Sequence, residues 1–119
     1  MNTGRLIIEM GMGTDMHGGN YTKAATRAMQ DALRHSSLSI VRALDIPAQD
    51  ILVKVTVGVA EPDAVDTDAL KALVPMGRVE LTVVEGGLDV ENPDYDDKSV
   101  TASAAIEVFL PKQTGWKLV

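Results

Sequence analysis

The sequence predicts a single α/β (α+β) domain over residues 1–119, with four strands and two helices in the order β-α-β-α-β-β. Three observations predict it. Residues 50 to 60 alternate Ile51, Val53, Val55, Val57 and Val59 with Leu52, Lys54, Thr56 and Gly58, a strand with one fully apolar face. Ala24, Ala25, Ala28, Met29, Ala32 and Leu33 recur at helical spacing after a glycine-rich segment. Strand and helix patterns then follow one another with short connections, which is the arrangement of a layered α/β domain.

The first strand is expected at residues 5 to 12, with Leu6, Ile8 and Met10 on one face and Arg5, Ile7 and Glu9 on the other. The segment Gly11 to Asn20 holds four glycines, one acid and one histidine in ten residues. Gly11 and Gly13 permit backbone angles closed to other residues and let a ligand approach the main chain. A helix starts near Tyr21, with Asn20 suited to accept from free amides in its first turn. Its pattern continues through Ile40, Val41 and Leu44, and the serine-rich run His35 to Ser39 predicts a bend or break. Ile46 precedes a proline, which ends the element.

After the strand at 50 to 60, Asp66 or Thr67 is expected to cap a short helix whose buried stripe is Ala69, Leu70 and Leu73. The third strand runs from Arg78 to Glu85, with Val79, Leu81 and Val83 on one face. Residues 86 to 98 read as a loop with an acidic tip, and the fourth strand spans Ser99 to Leu110. Right-handed crossovers make the first three strands parallel and put both helices on one face. The last connection lacks a helix, so the fourth strand runs antiparallel. That topology gathers the glycine loop, Glu61, Glu85 and Ser99 to Ser103 at one edge, where open α/β sheets bind ligands.

The other sheet face lacks a helix and is expected to carry Ile7, Glu9, Leu52, Lys54, Thr56, Glu80, Thr82, Val84, Ala105, Glu107 and Phe109. That mixture is too apolar to sit comfortably in water and too polar for a core, which favours a homo-oligomer built through this face, with Trp116 as a further anchor, over a solvated face. The net charge of -6, without a Lys/Arg cluster, argues against a nucleic-acid partner. No apolar run reaches the ~20 residues that span a bilayer. The absence of cysteine excludes disulfides, thiol nucleophiles and thiolate metal sites. The N-terminus does not read as a secretory leader, so the expected location is cytoplasmic.

Asp15 and His17 are the candidate catalytic pair. A carboxylate and an imidazole two residues apart can share a divalent metal, or one can orient the other for proton transfer. A metal there needs a further ligand, from Glu61, Glu85 or a neighbouring subunit. The competing interpretation is structural, with Asp15 bonded to loop amides and His17 packed beside the helix. Gly11, Gly13, Thr14 and Gly18 are candidate ligand-binding positions on the loop. Lys23 and Arg27, in the first turns of the helix, are candidates for holding an anionic small molecule, and Glu85 joins them from the same sheet edge. The glycines have neither dinucleotide-binding nor P-loop spacing, and no Gly-x-Ser-x-Gly elbow accompanies the serines near His35. Asp94, Asp96 and Asp97 lack the glycine and distal glutamate of a calcium loop and read as a solvated turn.

The run Gly11-x-Gly13-x-Asp15-x-His17-Gly18 resembles the Gly-x-Gly-x-Asp-x-His-Gly signature of the Lin family of conserved hypothetical proteins. Thr22-Lys23-Ala24-Ala25-x-Arg27-Ala28 and Val83-Val84-Glu85-Gly86-Gly87-Leu88 are similar too, so the resemblance spans nearly the whole chain. It implies a fold like Bacillus-type chorismate mutase and the C-terminal domain of tubulin-like proteins, rather than an activity. Two functions follow from the residues. One is a small oligomeric enzyme that acts on a polar small molecule through Asp15 and His17. The other is a non-catalytic assembly module in which the loop is a subunit contact.

Overall fold

The computed structural model describes residues 3–34 and 45–111. The expected break at His35 to Ser39, the helical pattern through Leu44 and the tail with Trp116 lie outside the described residues. The elements are β1 (Thr3–Asp15), α1 (Tyr21–Leu33), β2 (Leu52–Val59), α2 (Thr67–Lys71), β3 (Arg78–Glu85), β4 (Leu88–Asn92) and β5 (Asp97–Pro111). They form a small α+β domain with one five-stranded mixed sheet and two helices.

Along the sheet the order is β1-β5-β2-β3, with β4 also paired to β5. β2 and β3 are parallel, and β5 is antiparallel to both β1 and β2. The first three strands therefore share a direction, as the crossovers require, and the last strand inserts between two of them. β5 is long enough for β4 and β2 to follow one another along one side of it. Thr101 pairs with Leu88, and Ser103 pairs with Gly58.

The expected four strands are five. Residues 88–92, read from sequence as part of an acidic loop, pair with 97–101 as a hairpin. Its turn is closed by the Tyr95 amide donating to the Asn92 carbonyl at 3.2 Å. Asp96 takes a left-handed φ of 50° before the chain enters β5, a conformation that Asp tolerates better than most residues.

β1 departs further from expectation. It runs on to Asp15, and its inward face is Ile7, Gly11, Gly13 and Asp15. Ile8, Met10 and Met12 point outward and are exposed, at 43%, 65% and 64%. The register shifts between Arg5 and Ile7, so a residue is left unpaired and the faces after it are set by what packs there. What packs there is α1. A Cβ on Gly11 would lie 2.5 Å from the Ala28 carbonyl oxygen, and one on Gly13 would lie 2.2 Å from the Ala28 amide nitrogen. The two glycines thus let the helix backbone approach the strand. They lie within β1 rather than in the loop, and neither has a positive φ.

α1 is built for that approach. Its buried side after Tyr21 is Ala24, Ala25, Ala28, Met29 and Ala32, four small alanines and one methionine, all with high helix propensity. Asn20 caps it, its side chain accepting from the Lys23 amide at 3.0 Å. Asp66 caps α2, accepting from the Ala69 amide at 3.2 Å, and Leu70 is buried while Ala69 is exposed. The core between helices and sheet is aliphatic. Val53, Val55, Val57, Val59, Val100, Ile106 and Val108 meet Met29 and Leu70, each nearly or wholly out of water. Among the described residues no helix is long and apolar enough to cross a membrane.

Candidate functional site

The sheet topology brings the end of β1, the loop 16–20, the start of α1, Glu61 after β2, and the β4–β5 hairpin to one edge. Polar side chains converge there in three groups.

The first surrounds Asp15, the buried charged residue at the end of β1, 4% exposed. Its Oδ2 accepts from the Asn20 amide at 2.9 Å, which folds the loop back against the strand. Its Oδ1 faces the Lys23 ammonium at 3.8 Å and the Arg27 guanidinium at 3.9 Å. Arg27 also donates to the Thr14 carbonyl at 2.5 Å. One carboxylate is thus buried beneath two partly exposed cations. The Thr14 hydroxyl pairs with that of Thr101 at 3.2 Å.

The second group is the loop itself. Gly18 and Gly19 have φ of 95° and 61°, which side-chain-bearing residues rarely adopt, and these turns lay the loop over the start of β5. There the Asp97 carboxylate receives it. Oδ1 accepts from the Gly18 amide at 2.8 Å and from its neighbour Lys98 at 2.9 Å. Oδ2 lies 2.9 Å from His17 Nδ1. The Gly18 amide, and then the His17 imidazole, hold the Asp97 carboxyl below the ordinary carboxylate range. The ionised carboxylate accepts, so Nδ1 carries the proton and the rest of the imidazole is open to water, at 87% side-chain exposure. The Ser99 hydroxyl donates to the Met16 carbonyl at 2.6 Å and ties down the same loop.

The third group is centred on Lys98. Its ammonium donates to the Tyr21 hydroxyl at 2.8 Å and to Glu61 at 3.3 Å, and faces Asp89 at 3.7 Å. It also lies 4.9 Å from the centre of the Tyr21 ring, within cation–π range. The Tyr21 hydroxyl donates to Asp89 Oδ2. Burial, and then Asp89, push the Tyr21 hydroxyl up to about 12. The Tyr21 hydroxyl and then Glu61 push the Lys98 ammonium up, while the same hydroxyl and Lys98 pull Glu61 down. Near neutral pH this group therefore holds a neutral phenol, an ammonium and an ionised Glu61. Asp89 Oδ1 is buried and has no hydrogen-bond partner among the described residues.

A cleft of about 380 Å³ opens beside the second and third groups, lined by Gly18, Glu91, Asn92, Pro93, Asp96, Asp97 and Lys98. Three of those residues are acids and one is a base.

The candidate residues read from sequence are thus divided. Asp15, Thr14, Lys23 and Arg27 come together. His17 and Gly18 join Asp97 instead. Gly11 and Gly13 lie under the helix, and Glu85 is exposed at the end of β3, opposite Val59, with no hydrogen bond to these groups among the described residues. The described residues hold no group of three or more side chains suited to a metal ion. Tyr21, Asp89, Asp97 and Lys98 were missed. The alternation Leu88-Asp89-Val90-Glu91 ahead of Asn92-Pro93 is the trace of a hairpin that would have placed three of them.

No curated protein matches the chain. An FtsZ-like protein of unknown function from Nostoc punctiforme PCC 73102, known from its crystal structure, is similar at a TM-score of 0.78. The two are 36% identical, over 94% of this chain and 99% of that one. The family model described as a conserved hypothetical protein (Lin0512_fam) matches residues 5–108. With its sequence and its sheet both aligned to that company, the chain belongs to the Lin0512 family of conserved hypothetical proteins.

Proposed function

We propose that this protein is a small homo-oligomeric protein that binds a polar small molecule at the loop edge of its sheet and uses His17 for proton transfer. The observation that carries the reading is the 2.9 Å hydrogen bond between His17 Nδ1 and Asp97 Oδ2 beside the acidic cleft. A carboxylate on Nδ1 fixes the tautomer whose Nε2 bears the lone pair, which is how a histidine is prepared as a general base. Asp97 is itself held ionised by two backbone amides, so the pair is rigid at its base.

In this reading Asp15 organises the loop through Asn20, and Lys23 and Arg27 balance its buried charge. Thr14 and Gly18 shape the site through the backbone. Those two cations face Asp15, and the cleft wall is acidic. A ligand with hydrogen-bond donors or a positive charge therefore fits better than an anion. The same two cations compete with a divalent metal at Asp15, and His17 has Asp97 as its partner. A metal-assisted reaction therefore needs ligands beyond this group of side chains. Tyr21 and Lys98 act as hydrogen-bond donors, since both keep their protons.

The test is a panel of primary amines, amides and sugar alcohols, with small carboxylates and phosphates for contrast, followed by amide shifts. Binders from the first set should move the Gly18, Asp97 and Lys98 amides. His17→Gln should keep binding and lose any turnover. Shifts confined to other strands, or none at millimolar concentrations, would remove the reading.

A second reading has its own observation, the bare apolar face with Met10 and Met12 more than 60% exposed. In it the protein is a non-catalytic assembly module and the loop is a subunit contact. His17→Ala would then cost the assembly, whereas the first reading leaves the assembly intact.

A further inference from the structure

We propose that a second copy of this chain seats on the outward apolar patch beside His17 and walls that residue off from water. The inference rests on the reading that His17 and Asp97 form a site, and names what completes it.

The patch follows from the register. Leu88 and Val90 on β4 and Met12 on β1 flank the start of β5, whose outward residues there are Ser99, Thr101 and Ser103. Large apolar side chains, 57% to 64% exposed, thus rim a trough floored by small ones. The patch adjoins the site directly. Ser99 pairs with Val90 and holds the Met16 carbonyl, one residue from His17.

Four observations favour a second copy as the occupant. The first is size. Ile8, Met10, Met12, Met16, Val84, Leu88 and Val90 are each 41% or more exposed. Side chains of this kind leave on the order of 100 Å² each in water, so together they approach the roughly 800 Å² that each partner contributes to a standard interface. The second is charge. The chain carries -6 and copies repel, but the trough and its rims carry no charge. Farther along the same face Arg5 pairs with Glu107 at 3.2 Å and Lys54 lies over Phe109. This is where two acidic copies can meet. The third is shape. Protruding methionines and a trough of small residues on one surface are complementary to their own two-fold copy, and methionine adapts its shape to a partner. The fourth is the closed edge. The Met12 amide donates to Asp31 at 3.0 Å and the Thr14 carbonyl accepts from Arg27, so a partner cannot extend the sheet along this half of β1. It must meet the face.

The experiment pairs sedimentation with acylation of His17 by diethylpyrocarbonate, in a His35→Gln background that leaves one histidine. At tens of micromolar the protein should be associated and its His17 should acylate several-fold more slowly than after dilution. Met12→Lys should be monomeric, with an unchanged far-ultraviolet spectrum and fast acylation. Leu88→Lys, on another strand, should repeat the result. A protein monomeric at tens of micromolar overturns the proposal. So does an assembly in which His17 acylates as fast as in the lysine variants. Failure of the proton-transfer reading shows elsewhere, as missing ligand shifts at Gly18, Asp97 and Lys98.

Discussion

At the scale of single residues, glycine and tyrosine make the sharpest predictions. Gly13 admits α1 so closely that any side chain meets helix backbone, which cannot yield as a flexible side chain would. Gly13→Ala should cost at least about 2 kcal/mol in chemical denaturation, at the upper part of the range for overpacking. Gly4→Ala, with nothing within 4 Å of its added carbon, should be near neutral. Equal costs at the two positions would mean that the helix is not seated on Gly13. Tyr21 speaks to pH. Its hydroxyl is raised from 10.0 to about 12, by burial first and Asp89 second. In a Tyr95→Phe variant, tyrosinate absorbance should therefore appear near pH 12. The folded pKa lies above the unfolded one, so this contribution to stability is whole below pH 10 and lost as pH climbs from 10 toward 12. Lys98, also raised, works in the same direction. A titration centred near 10 would show that Tyr21 is not buried against Asp89.

At the scale of elements, α1 is the member that joins core to site. Its alanines seat it on Gly11 and Gly13, and its first turn presents Tyr21 and Lys23 to the carboxylates. Asn20 begins it twice over, by capping the Lys23 amide and by donating its own amide to Asp15. Asn20→Ala removes the cap and keeps the backbone bond. A loss of about 1 kcal/mol is expected, the usual worth of an N-cap, with faster amide exchange confined to the first turn. A loss spread over the whole helix would assign Asn20 a larger role. The hairpin of β4 and β5 matters in the same way. It carries Asp89 on β4 beneath Tyr21 and Asp97 on β5 beneath His17, so the hairpin contributes a carboxylate to two of the three polar groups.

At the scale of the molecule, the legible and illegible parts of the sequence separate on physical grounds. β2, β3 and β5 were readable because alternating aliphatic residues have one plausible buried side. The topology, with a final antiparallel strand, followed from connection lengths. β1 was readable as a strand but its faces were not, because beyond Ile7 its core face is Gly11 and Gly13 while its open face is isoleucine and methionine, the reverse of what hydrophobicity suggests. Only knowledge of how near α1 lies would have inverted that assignment. The glycine-rich segment with Asp15 and His17 stood out in the sequence because it departs from the pattern of a packed core. Their partners were not legible, because Asp97 is 80 residues from His17 and its place depends on the hairpin register.

The central claim is that Asp97 holds His17 with Nδ1 protonated and Nε2 bare. Nitrogen-15 spectra of the imidazole at a pH where it is neutral test it directly. The native protein should show protonated Nδ1 and an unprotonated Nε2, and Asp97→Asn should shift the population toward the other tautomer. A native His17 with the proton on Nε2, or a tautomer ratio indifferent to Asp97→Asn, would contradict the account.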